Sequence, residues 1–187
     1  MVAAVHAVIR WETELTEADH AALSGLLHAS FGRHTDEFAT QSWPARYARK
    51  EARLMLVDDA GRSVAHLGVE RRLVSVAGAD VLVAGVGEVA VAPDRQGEGL
   101  GGALMRALDE RLTADLAADF AFVQCGDNVL GFYRGTGWTQ VANPVRHIDV
   151  HDHRRSIDGV WPTLVRAGRR PVDAWPDGLV DLRGLPW

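Results

Sequence analysis

At 187 residues, 47% hydrophobic and 24% charged, the chain has the length and ordinary composition of one globular domain able to bury a substantial core. Its net charge of −5 gives no electrostatic footprint for nucleic acid and suits a cationic ligand. No apolar run approaches the roughly 20 residues of a membrane span, and the first residues lack the basic start of a secretory signal, so no membrane partner is expected and the cytoplasm is the default location.

Residues 4–11 read as a first strand. Thr16-Glu17-Ala18-Asp19 then places an N-cap and an acidic first turn ahead of a helix whose buried face is Ala22, Leu23, Leu26, Leu27 and Phe31, with Gly32 as its stop. Residues 33–50 are polar and aromatic with weak periodicity, which predicts a short helix and loops lying over a site. Lys50 is the only lysine among twenty basic residues, a bias that carries no mechanistic weight at this level. Residues 53–57, 64–76 and 81–91 form three strands joined by the turns at Asp58-Asp59-Ala60-Gly61-Arg62 and Ala77-Gly78-Ala79-Asp80, hence an antiparallel meander. A glycine loop and helix follow over 96–112, then a strand at 120–124, a short helix at 128–135, and strands at 137–141 and 145–150 that close the sheet. Strands, helix, strand, helix, strands imply a mixed, mostly antiparallel sheet with helices on both faces and one βαβ crossover at the glycine loop. Cys125, the single cysteine, rules out an intrachain disulfide.

The loop Pro93-Asp94-Arg95-Gln96-Gly97-Glu98-Gly99-Leu100-Gly101-Gly102 reads as a pyrophosphate cradle. Residues without a Cβ let backbone N–H groups converge on an anion, and the following helix adds the field of its N-terminus. That helix buries 100, 104, 105, 108 and 112 on one face. Gly97-x-Gly99-x-x-Gly102 satisfies the dinucleotide fingerprint by letter, yet antiparallel strands come first and no acidic residue closes a second parallel strand. A P-loop fails because no Gly-Lys-Ser/Thr is present.

What remains is Gln96-x-x-Gly99-x-Gly101 after a strand ending Val89-Ala90-Val91-Ala92-Pro93, which resembles the motif of the GCN5-related N-acetyltransferase (GNAT) superfamily. The downstream Asn128-Val129-Leu130-Gly131-Phe132-Tyr133-Arg134-Gly135-Thr136-Gly137-Trp138 is similar to the family's Tyr-x-x-x-Gly-Trp/Phe segment. The resemblance implies an α/β GNAT fold over residues 1–187, with the acceptor-site strand, helices and loops in 1–50, the cofactor-binding core in 51–142 and C-terminal strands and tail in 143–187. It further implies a cofactor cleft at splayed central strands, with acetyl-CoA as cofactor. Val89, Ala90 and Val91 would pair with the pantetheine arm, Gln96, Gly97, Glu98, Gly99, Leu100, Gly101 and Gly102 would hold the pyrophosphate, and Asn128 would bond the pantetheine amides.

Amine attack on a thioester needs a base for the ammonium proton and a donor for the leaving thiolate. The resemblance assigns these roles to Glu88 and Tyr133; without it, Glu88 would read as a structural carboxylate and Tyr133 as core packing. Glu70-Arg71-Arg72-Leu73-Val74 and Gly85-Val86-Gly87-Glu88 look like aminoglycoside 2′-N-acetyltransferases, which would make Glu37, Asp158, Asp181 and Trp187 anionic contacts for a polyamine. Trp11-Glu12-Thr13-Glu14-Leu15-Thr16-Glu17-Ala18-Asp19-His20 and Trp175-Pro176-Asp177-Gly178 resemble the ends of rhizobial nodulation N-acyltransferases, which move a fatty acyl group from a carrier protein to an amino-sugar oligomer.

Three functions follow in order: acetyl transfer from acetyl-CoA to a small cationic amine, an aminoglycoside or amino sugar, as in antibiotic resistance; transfer of a longer acyl group from acyl-CoA or a carrier protein; and non-catalytic acyl-CoA binding. The partner is a small-molecule amine, and a homodimer would be unsurprising for the superfamily. His151, Asp152 and His153 read as loop residues and no metal is expected. Cys125 reads as an inert thiol, and the Arg pairs at 71–72, 154–155 and 169–170 as solvated faces.

Overall fold

The computed structural model describes residues 4–32 and 47–187. Strand β1 (Val5–Trp11) leads through a turn to helix α1 (Glu17–Phe31). Thr16 caps α1 reciprocally: its Oγ1 accepts from the Asp19 amide at 3.2 Å, and the Asp19 carboxylate accepts from the Thr16 amide at 2.9 Å. Leu23, Leu26 and Leu27 are buried as expected, whereas Ala22 faces solvent, because the apolar stripe of α1 is narrow.

Strands β2 (Ala52–Asp58), β3 (Ser63–Val76) and β4 (Ala79–Val91) form the expected meander, and β1 adds antiparallel to β2. The β3–β4 turn needs only Ala77 and Gly78, at φ 50° and 89°, the left-handed pair that a tight hairpin requires. Helix α2 (Leu100–Ala114) carries the chain to β5 (Phe120–Gln124), which lies parallel to β4, so the βαβ crossover is where the spacing places it. Helix α3 (Asp127–Gly135) follows.

The C-terminal third departs from expectation. Strand β6 (Thr139–Val141) ends one side of the sheet, paired to β9 (Thr163–Ala167), and β9 inserts between β6 and β5. Strand β7 (Val145–Ile148) lies near the other side, hairpinned to β8 (Ser156–Gly159) and parallel to the two-residue β10 (Val180–Asp181), which joins it to β3. The segments at 137–141 and 145–150 therefore do not close one edge together. Strands this short take their partners from tertiary packing, which local pattern does not encode.

The long strand β3 is shared on one edge: Ser63 to Val69 pair with β2, and Ser75 and Val76 with β10. Its two faces carry separate cores. Leu54, Leu67, Val69 and Val86 pack under Leu104, Met105, Leu108 and Leu112 of α2. On the reverse face Val74, Val83, Phe120, Phe122 and Leu182 form a second cluster, while Leu26 and Leu27 of α1 cover Ala90 and Ala92. Each fully buried leucine contributes about 1.5–3 kcal/mol.

Candidate active site

Strands β4 and β5 pair only from Val83 to Gly85 against Phe120 to Phe122. Beyond that they fork, and among the described residues none pairs as a strand with 86–91 of β4 on that edge. A cavity of about 690 Å³ fills the fork, walled by β4 on one side and by the end of β5 with α3 on the other. Glu88 and Tyr133 both line it, one from each wall, alongside Gln96, Gly101, Cys125 and Trp187.

Glu88 reaches the cavity through a bulge. The β3–β4 register passes from His66↔Ala90 to Gly68↔Gly87, so two residues of β4 oppose one of β3, and Glu88 takes φ 54°. That conformation costs a non-glycine residue on the order of 1–3 kcal/mol and must be held by its surroundings. His66 holds it: fully buried, with its pKa lowered to about 3 chiefly by burial, the neutral ring donates from Nδ1 to the Glu88 carbonyl at 3.0 Å.

The Glu88 carboxylate, 6% exposed, is bound by the Nη1 of Arg53, itself 2% exposed, whose Nε donates to Glu12 at 3.0 Å. Lys50 lies buried beside them. Burial pushes its amine below the usual lysine range, against the opposing pull of Glu88. On the other wall, burial raises the Tyr133 phenol above its ordinary value, so its hydroxyl stays protonated through the physiological range. Edge-on contacts with Phe132 at 5.1 Å and Trp138 at 5.6 Å fix the ring.

The glycine loop fits a diphosphate. Gly99, at φ 78°, is the N-cap of α2 and offers no side chain to its first turn, so those N–H groups face outward. Nothing stands within 4 Å of where a Cβ would sit at Gly97 or Gly99. Gly101 is needed for another reason: a Cβ there would come within 2.9 Å of Phe132 in α3. Val89, Ala90, Val91, Gln96 and Gly101 line the cavity, whereas Leu100 turns into the core and Glu98 is held by Arg95 at 2.7 Å. Asn128 is exposed outside the cavity lining, its Oδ1 turned back towards Gly126.

A second cavity, about 460 Å³, adjoins the first across Tyr47, Gln124, Cys125, Gly126 and Trp187 and extends to Trp161 and His147 under the β7–β8 hairpin. Of the expected acceptor residues, Trp187 lines both cavities. Asp158 lies on the face of β8 opposite the lining Ile157 and is gripped by Arg146 through two 2.7 Å bonds. Asp181 accepts from the Arg183 amide at 2.8 Å and does not line either cavity. Glu37 lies outside the described residues. Burial and the nearby Asp127 raise the Cys125 thiol above its ordinary value, which disfavours the nucleophilic thiolate. Among the described residues no three His, Cys, Asp or Glu side chains are gathered for a metal.

Pattern reading missed Lys50, Arg53, His66 and Arg72. Arg72 does not belong to a solvated face: it donates to Glu70 at 2.8 Å and to the carbonyls of Leu182 at 3.0 Å and Leu185 at 2.8 Å, and lies 4.9 Å over the Trp187 ring. Arg71 is likewise engaged, with Glu51 and the Leu116 carbonyl.

A forked mixed sheet, a bulge at the fork and a glycine loop opening the crossover helix are the features of a GNAT-like fold. Among solved structures, Escherichia coli YhbS, a GNAT family N-acetyltransferase in complex with CoA, superposes with a TM-score of 0.63 at 21% identity over 96% of this chain and 91% of that one. Escherichia coli ElaA does so at 0.61 and 16% over 87% and 99%. The family described as nodulation protein A (NodA) matches residues 2–184. Nodulation protein A of Rhizobium leguminosarum bv. trifolii is 38% identical over 97% of this chain and 82% of that one. That of Bradyrhizobium elkanii is 41% identical over 49% of this chain and 45% of that one, under half of the relative's length. The chain belongs to the nodulation protein A family. The aminoglycoside likeness draws no support from these matches; the nodulation likeness does.

Proposed function

We propose that this protein transfers a long acyl chain from a thioester donor to the amine of an amino sugar. The observation that carries the reading is that Glu88 and Tyr133 face one apolar cavity of about 690 Å³, room for a pantetheine arm and more hydrocarbon than an acetyl group. Membership of the nodulation protein A family supports it over acetyl transfer to an aminoglycoside.

A bound acyl thioester supplies the electrophilic carbonyl and the leaving sulfur. Val89, Ala90 and Val91 hold the pantetheine arm along the unpaired edge of β4, and the first turn of α2 holds the diphosphate of a CoA donor. Glu88 takes one proton from the acceptor ammonium, freeing the nitrogen lone pair. As the C–N bond forms, a backbone N–H of residues 88–91 stabilises the carbonyl oxygen. As the C–S bond breaks, Tyr133 passes a proton to the sulfur and regains one from the nitrogen, leaving an amide and a thiol. The acceptor ring sits in the second cavity, which Trp161, Trp187 and His147 line.

The test is thiol release from acetyl-CoA, a long-chain acyl-CoA and a long-chain acyl carrier protein, each against glucosamine oligomers and aminoglycosides. Turnover of a long-chain donor with glucosamine oligomers, lowered 10²–10⁴-fold in Glu88→Gln, is the expected result. Turnover confined to acetyl-CoA and aminoglycosides would overturn it.

A further inference from the structure

The three walls at the inner end of the fork are not alike. With the pantetheine arm along residues 89–91, an acyl group extends past Glu88 in the other direction, along Gly87 and Val86. It then meets the last paired residues of the two strands, Gly85 and Phe122, whose backbones close the space. On the α2 side Val86 and Val123 line the cavity while 1% and 2% exposed, packed into one core with Leu104, Met105 and Leu108. On the reverse side the wall is one side chain, the Trp187 indole, which lines this cavity and the second one and packs with the reverse-face core.

Glycines clear the place of that residue. A Cβ at Gly85 would stand 2.2 Å from the indole, and one at Gly87 2.9 Å from the Trp187 carbonyl carbon. Lys50 shares the second clearing. Its stem crosses β3 at Gly68, which stands opposite Gly87, and its Nζ would lie 3.1 Å from the Gly87 Cβ, beside the Trp187 backbone. The ring itself is held by the Arg72 guanidinium 4.9 Å over it and by Phe122 edge-on at 5.5 Å. Its Nε1 is buried without a hydrogen-bond partner among the described residues, so the indole contributes bulk at this position and not a polar contact.

Resting on the reading of the cavity as a site for a long-chain thioester, we infer that Trp187 is a specificity-determining residue for the donor: its indole ends the acyl channel and sets the longest chain the protein accepts. The other two walls are strand backbone and packed core, whereas the indole is a side chain with a second cavity behind it. One methylene too many against such a stop is worth roughly 10-fold or more, which gives a sharp upper limit to chain length and not a gradual decline.

The same ring lines the cavity assigned to the acceptor, so the test reads donor binding with no acceptor present. Saturated acyl chains of increasing length, presented on CoA and on a carrier protein, are titrated calorimetrically. Wild type should lose affinity about 10-fold at the first chain that meets the indole. Trp187→Ala should move that break to longer chains, and Trp187→Phe to an intermediate length. A break at the same length in all three overturns the inference. In the wild-type fold, an acyl chain of the longest accepted length with a terminal diazirine should crosslink to Trp187, Val86 or Val123. Crosslinks at Phe31 or Val129, elsewhere on the lining, overturn it. The long-chain reading fails separately, by wild-type binding confined to the acetyl thioester, and in that case Trp187→Ala must still admit longer chains for the indole to be the stop.

Discussion

Arg53 joins two carboxylates, Glu12 and Glu88, while 2% exposed, so its removal strands a buried negative charge at the bulge and not merely a contact. Breaking a buried pair from one side costs about 3–5 kcal/mol, and Arg53→Met should lower stability by that order in a urea titration. His66 gives the fold a pH dependence whose sign follows from its environment. Its folded pKa, about 3, lies below the ordinary histidine value of 6.5, so between these limits the unfolded chain binds the extra proton. Stability falls as pH drops through that window. Most carboxylates hold their charge down to about 4.5, so a decline in the urea midpoint between pH 6.5 and 4.5 reports this ring. Replacing His66 by Gln should flatten that part of the curve.

Among the elements, the fork between β4 and β5 depends on a residue that has no side chain. A Cβ at Gly85 would stand 2.2 Å from the Trp187 ring, which also packs edge-on against Phe122 at 5.5 Å. Gly85→Val should expel the indole, shift the tryptophan emission to longer wavelength and merge the two cavities, while β3–β4 pairing survives. The glycine loop, α2 and its buried face, the meander and the crossover were legible in the sequence because each rests on local chemistry: positive φ, 3.6-residue spacing, turn residues. Trp187 was legible as a site residue only through family likeness, and Arg72, which holds it, read as surface. Gly68, Gly87 and the lone lysine were visible in the letters only as single residues. Their meaning was not, since it requires knowing that the two glycines face each other across a register shift. The order β6-β9-β5 was hidden for a similar reason: strands of three to five residues carry too little pattern to choose a partner.

At the scale of the whole molecule, the segment after β10 is fastened by the Ile148 amide on the Gly184 carbonyl at 2.8 Å, by the Ala48 amide on the Pro186 carbonyl at 2.8 Å, by Arg183 on Asp80 and by the Arg72 guanidinium, which alone reaches both ends of the segment. Arg72 takes the carbonyls of Leu182 and Leu185 and covers the Trp187 ring, so Arg72→Met should raise amide exchange across residues 180–187 and leave the α2 core protected. Loss of protection spreading into α2 would show instead that the two faces of the sheet unfold as one unit.

The sharing of β3 between β2 and β10 also bears on how the chain reaches this structure. The meander closes through neighbours, but β10 meets β3 across more than a hundred residues, Val180 beside Val76. Such a contact carries a large loop-closure entropy and forms late. During synthesis the β2–β4 meander can therefore pair while Trp187, which lines both cavities, has yet to be added.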